Sequence, residues 1–227
     1  MKQLLKLSVV AALSLAAATV VKAENALQLD ILGGVYDPIH KDVVSPANVF
    51  QLAAILNPAN GSAPASNDTF YIAVSLIPKT TTAFAGGSFD FAGTTVNVTA
   101  DMTSGTPAGL SPHGQFPNFY REFAFTFDLS NAGKVDLYNT EDSPGGPTFN
   151  TSGAAFAKLF NVDKSGLTGD VELHFDLYNK ALNRRGALVV DKNAPFSHDA
   201  STIPEPTGFV LTAAGMALFG VIRRKRS

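Results

Sequence analysis

Strict alternation of apolar and polar residues is the feature that most restricts this chain. Phe119, Arg121, Phe123, Phe125 and Phe127 alternate with Tyr120, Glu122, Ala124, Thr126 and Asp128. Val171, Leu173, Phe175 and Leu177 alternate with Glu172, His174, Asp176 and Tyr178. Phe70, Ile72, Val74 and Leu76 repeat the pattern, as do Leu27, Leu29, Ile31 and, more weakly, Val35. Successive side chains of a strand point to opposite faces. A period of two therefore predicts strands with one face in a core and one in water. Further strands are expected at 49–56, 88–99, 134–139, 155–162 and 186–191. Clusters rich in Gly, Pro, Asn and Ser at 57–68, 101–118 and 140–153 supply the turns. About eight or nine short strands without a long helix specify an all-β fold, an antiparallel β-sandwich of the jelly-roll-like kind. Residues 153–160 also fit a short helix, so that stretch has two readings. No internal repeat is visible.

Both ends depart from this pattern. Lys2 and Lys6 open a short basic stretch, an apolar run covers 7–21, and Val21-Lys22-Ala23 is a small-residue cleavage site. Residues 1–23 thus have the form of a secretory signal peptide, cut after Ala23 by signal peptidase. The competing reading is an uncleaved anchor. Without Cys the chain cannot carry a lipoprotein acyl anchor. At the other end, 207–222 is free of charge, and Arg223, Arg224, Lys225 and Arg226 follow it. As a helix this run would span about 24 Å, short of a hydrocarbon core of roughly 30 Å. Bilayer thinning or snorkelling of the flanking cations covers the gap. The cationic cluster stays cytoplasmic by the positive-inside rule, which leaves everything before residue 203 outside the inner membrane. Pro204 and Pro206 hold Pro204-Glu205-Pro206 extended and open to a processing enzyme. The expected division is a signal at 1–23, a β domain at 24–192, a linker at 193–202 and a processed tail at 203–227.

Charge sharpens the picture of what is exported. Of the seventeen Lys and Arg, three lie in the signal and four in the tail. Over 24–206, the part left after cleavage near Pro206, ten remain against nineteen Asp and Glu, so the exported part carries −9. Such a surface argues against nucleic acid and anionic lipid as partners and is compatible with cation binding. With no disulfide available, the domain must rest on its core, to which it brings fifteen Phe.

Three groups of residues are candidates for chemistry. The run Asn-Val-Asp-Lys-Ser-Gly-Leu-Thr-Gly-Asp-Val-Glu at 161–172 can be counted as a twelve-residue calcium loop. Its ligands would be Asn161, Asp163, Ser165, the Leu167 carbonyl and Glu172, with Gly166 at the sharp turn. Against it, position 1 is Asn, position 5 is only Ser, and the flanks have strand periodicity. The competing reading is a hairpin turn at 164–166 with Glu172 on a solvent face. His113 and His198 sit in loops and could meet each other or Asp199 around a transition metal. No local ligand spacing supports that, and backbone hydrogen bonding would equally account for both. Glu172, His174 and Asp176 share one strand face, which the alternation places in water. The chain contains no nucleophile elbow and no phosphate-cradling glycine loop. With no Trp, Tyr120 and Tyr178 are the best carbohydrate-stacking candidates. The expected class is a structural or adhesive protein with no required cofactor and no catalytic role. A secreted hydrolase or a calcium-dependent adhesin is the alternative.

Two resemblances add to this. Pro204-Glu205-Pro206, the apolar span and the terminal Arg223-Arg224-Lys225-Arg226 resemble the PEP-CTERM sorting signal of Gram-negative bacteria. That likeness implies an exosortase as partner, a transient inner-membrane intermediate, removal of the tail near Pro206, and delivery to the cell surface or an exopolysaccharide matrix. The interior stretches beginning at Leu27, Leu110 and Ala194 resemble the choice-of-anchor N proteins. That likeness implies a common extracellular domain followed by exchangeable anchoring signals, and it transfers no catalytic residue.

Overall fold

The computed structural model describes residues 27–58, 68–110, 114–182, 184–185, 188–195 and 199–202. The signal segment with Ala23, the tail with its span at 207–222, and both His113 and His198 lie outside the described residues. Within them the chain is all-β. In chain order the strands are β1 (Leu27–Ile31), β2 (Val35–Asp37), β3 (Asp42–Val44), β4 (Val49–Leu56), β5 (Phe70–Ile77), β6 (Ser88–Phe91) and β7 (Thr94–Asn97). Then follow β8 (Thr103–Gly105), β9 (Asn118–Phe125), β10 (Lys134–Val135), β11 (Ala155–Asp163), β12 (Glu172–Leu182), β13 (Leu188–Asn193) and β14 (Asp199–Ser201). A 3₁₀ turn at Asn131–Gly133 precedes β10. Among the described residues no helix is long and apolar enough to cross a membrane.

The strands form two sheets. One runs β1-β4-β11-β6-β7, with β10 also on β11. The other runs β2-β3-β14-β12-β5-β9-β8, with β13 also on β12. Pairing is antiparallel except between β14 and β3. The alternating residues meet between the sheets as the period requires. Leu27, Leu29, Ile31, Leu52, Ala54 and Leu56 come from one sheet, and Ile72, Val74, Leu76, Leu173, Phe175 and Leu177 from the other. Phenylalanine rings lock the two together. Phe91 lies 4.4 Å from Phe123, Phe125 lies 5.0 Å from Phe160 edge-to-face, and Phe50 meets Phe175 at 6.1 Å. Such pairs add about 0.5–1.5 kcal/mol each to the area they bury.

Several sequence expectations are corrected here. Residues 153–160 are not helical: from Ala155 on they belong to β11, which pairs with β4 from Phe156 to Asp163. The ladder of eight cross-strand pairs outweighs the alanine-rich local preference. The expected linker at 193–202 contains the end of β13 and the whole of β14, and β14 is buried along its length. The turn-rich stretch 101–118 contains the short edge strand β8.

The polar faces do not all face water. Gln28 and Asp30 lie on the outer side of β1, yet are 1 % and 0 % exposed. The segment 138–146 covers them. Gln28 donates to the Tyr138 carbonyl at 2.8 Å and accepts from the Thr140 amide at 2.8 Å. Asp30 accepts from the amides of Ile31 (2.6 Å), Gly145 (3.3 Å) and Gly146 (3.2 Å) and from the Tyr138 hydroxyl. A buried carboxylate survives because four donors surround it.

Two expectations follow. Asp30→Ala leaves those donors without an acceptor and should cost about 3 kcal/mol in urea unfolding. The β6–β7 hairpin turns through Ala92 and Gly93, both at positive φ (52° and 80°). Ala92 is exposed there, in the left-handed conformation that Asn tolerates better. Ala92→Asn should raise stability by about 0.5–1 kcal/mol on the same unfolding curve.

Candidate functional site

β12 carries the residues of interest. Leu173, Phe175 and Leu177 enter the core, so His174 and Asp176 point to the opposite face. That face was expected in water, but His174 is only 2 % and Asp176 only 3 % exposed. The neighbouring strands explain the burial. β14 lies along one flank of β12, with Ser201 opposite His174 and Ala200 opposite Phe175, which sets Asp199 beside Asp176. β3 continues beyond β14 and pairs Asp42 with Asp199. β2 then places Asp37 opposite Asp42. One rung of the sheet thus runs Asp37, Asp42, Asp199, Asp176 across adjacent strands, and strand spacing keeps neighbours about 5 Å apart.

The partners along this rung differ. Asp37 sits at its rim, 2.5 Å from His40 Nδ1. Asp42 Oδ2 accepts from the Ser201 hydroxyl at 2.5 Å. His174 Nε2 is 3.6 Å from Asp176 Oδ1 and 3.9 Å from Asp199 Oδ2. No hydrogen-bond donor among the described residues reaches Asp42 Oδ1 or Asp199 Oδ1. Burial pushes the Asp199 carboxyl well above the usual carboxylate range, and the charges of Asp176 and Asp42 push it further. Asp42 is also raised by burial, against the opposing effects of the Ser201 hydroxyl and His174.

The calcium loop is not assembled as counted. Asn161 and Asp163 belong to β11, not to a loop between helices. Asn161 accepts from the Gln51 side chain at 3.0 Å. Asp163 accepts from the Ser165 amide and hydroxyl, which hold its carboxyl below the usual range. Leu167 sits opposite Gly87 in an isolated bridge. A Cβ on Gly87 would fall 2.1 Å from the Gly166 carbonyl oxygen, so only glycine allows this approach. Glu172, the twelfth residue, is turned to the Lys164 ammonium at 2.5 Å and the Thr202 hydroxyl at 2.5 Å. A lysine thus stands where the bidentate ligand would meet calcium. The alternative hairpin is not found either, because β11 and β12 belong to different sheets.

The stacking candidates are also covered. Tyr178 is fully buried, stacks on Tyr71 at 6.0 Å, and gives its hydroxyl to Glu122. Tyr120 is half-buried and meets Phe116 edge-to-face. Asp199 is the one member of the proposed histidine site that is described, and its imidazole neighbour is His174. Sequence reasoning missed Asp42 altogether. Its only signal was the short apolar pair Val43 and Val44 beside it, too brief to announce a strand.

The electrostatics give a pH dependence. Well below pH 4, Asp199 is neutral in the folded and the unfolded chain. As pH rises, the unfolded carboxyl ionises first. The folded one resists, facing Asp176 and His174 on β12 and Asp42 on β3. Stability of chelator-treated protein should therefore fall as pH rises, until the folded group has titrated. Asp199→Asn should make that slope shallower, measured as thermal midpoint against pH, with Asp42 and Asp30, both raised by burial, contributing to the remainder.

No known protein family matches this chain, and neither a curated protein nor a solved structure matches it.

Proposed function

We propose that this chain is an exported surface or matrix protein, sorted by an exosortase and acting by binding or by structural association with exopolysaccharide. The observation that carries this reading is the tail: Pro204-Glu205-Pro206, an uncharged span at 207–222, and four terminal cations, in that order. Its partner is the signal-like segment 1–23 at the opposite end. The position of β14 supports the reading. Among the described residues the last strand ends at Ser201, a few positions before Pro204-Glu205-Pro206 in the sequence. The acidic balance of the exported part suits a secreted domain that stays apart from nucleic acid and anionic lipid.

The jelly-roll-like topology belongs to this proposal. The chain crosses repeatedly from one sheet to the other, as at β4 to β5, β7 to β8 and β11 to β12. Such crossings are the habit of double-sheet jelly rolls. The proposal assigns no catalytic residue.

Intact mass of the protein recovered from a host with an exosortase tests the route. The expected species lacks residues 1–23 and everything beyond about Pro206. A species that keeps the terminal cations in the presence of active exosortase would overturn the sorting half. Binding of the recovered protein to exopolysaccharide, measured by co-sedimentation, tests the other half.

A further inference from the structure

We infer that His174 Nε2 and the carboxylates of Asp176 and Asp199 form a binding site for a divalent transition cation of the zinc or manganese kind. One ligand atom from each residue lies within 4.8 Å of the other two. The His174 Nε2 distances to Asp176 Oδ1 and Asp199 Oδ2 are 3.6 and 3.9 Å. Ligand atoms around a tetrahedral zinc stand about 3.3 Å apart, so small side-chain adjustments close the site.

Burial distinguishes this group from ordinary surface carboxylates. All three residues are at least 97 % buried. A buried carboxylate oxygen without a donor is strongly unfavourable. Asp199 Oδ1 is such an oxygen, and Asp42 Oδ1, in the next position along the rung, is another. A cation satisfies what no donor among the described residues does. The donor set also selects the ion. An imidazole nitrogen with carboxylate oxygens suits zinc or manganese, whereas calcium takes a shell of six to eight oxygens. Two ligand carboxylates balance a divalent charge, and Asp42 adds a further negative neighbour.

The role is structural. His174 and Asp176 belong to β12 and Asp199 to β14, so the ion would tie the last strand to the middle of its sheet. Binding would then be coupled to folding. The site is independent of the export route, and either can fail without the other.

The test uses the full chain. It is purified from metal-replete cells and read by elemental mass spectrometry and thermal unfolding. About one zinc or manganese ion per chain is expected. Chelation with EDTA should lower the midpoint by several degrees, and re-addition of ZnCl₂ or MnCl₂ should restore it. Asp199→Asn should carry no metal and show no response, while Asp163→Asn, in the counted calcium loop, should keep both. X-ray absorption at the metal edge of the unmutated protein, which needs no variant to fold, should show histidine nitrogen in the shell. A metal-free chain that ignores zinc and manganese would overturn the inference. So would a response to calcium alone, one that survives Asp199→Asn, or an oxygen-only shell.

Discussion

The aromatic layer between the sheets is what the remaining structure depends on. The chain has no cysteine, so no disulfide holds one sheet to the other. Phe91 alone contacts Phe123, Phe160 and Phe175 across or along that layer. A strand slipped by one residue would carry its phenylalanines out of the core and its polar residues in. The inner faces therefore set the register, and the register decides which side chains become neighbours on the outer faces. The rung of aspartates exists because Phe175 and Ala200 are fixed opposite each other on the inside.

The outer faces show two solutions to one problem. Asp30 and Asp199 are both buried aspartates on the side of a strand away from the core. Asp30 is met by the amide of its neighbour Ile31 and by two more amides and a phenol from a segment whose Gly145 and Gly146 both take positive φ. That is a satisfied network, and its effect is to pin a covering segment. Asp199 is met instead by two more carboxylates and an imidazole. The same residue type at the same depth is stabilised in one place and left in tension in the other.

Much of the fold was legible because alternation needs only the sequence. β5, β9 and β12 follow the written pattern closely, and the Phe residues named from it fill the core. The destination of the polar half was not legible. Whether His174 meets water depends on what lies beside β12, and its neighbours come from Asp42–Val44 and Asp199–Ser201. Strands of three residues carry too little periodicity to be seen, and β14 lies in a stretch of Pro, Ser and Asp that has the composition of a linker. The buried cluster of His174, Asp176 and Asp199 therefore joins residues far apart in sequence. Asp199 stood out in the sequence beside His198, which lies outside the described residues, whereas His174 comes to it only across a ladder.

β14 lies inside its sheet, parallel to β3 on one flank and antiparallel to β12 on the other. Hydrogen bonds in a sheet stand roughly across the strand direction. A pull transmitted from the chain beyond Thr202 along β14 would therefore load the bonds on both flanks in shear, together rather than one after another. A strand at the sheet's edge, pulled away sideways, would peel. β14 is thus placed as a mechanical fastening, and its short length is offset by having two neighbours instead of one.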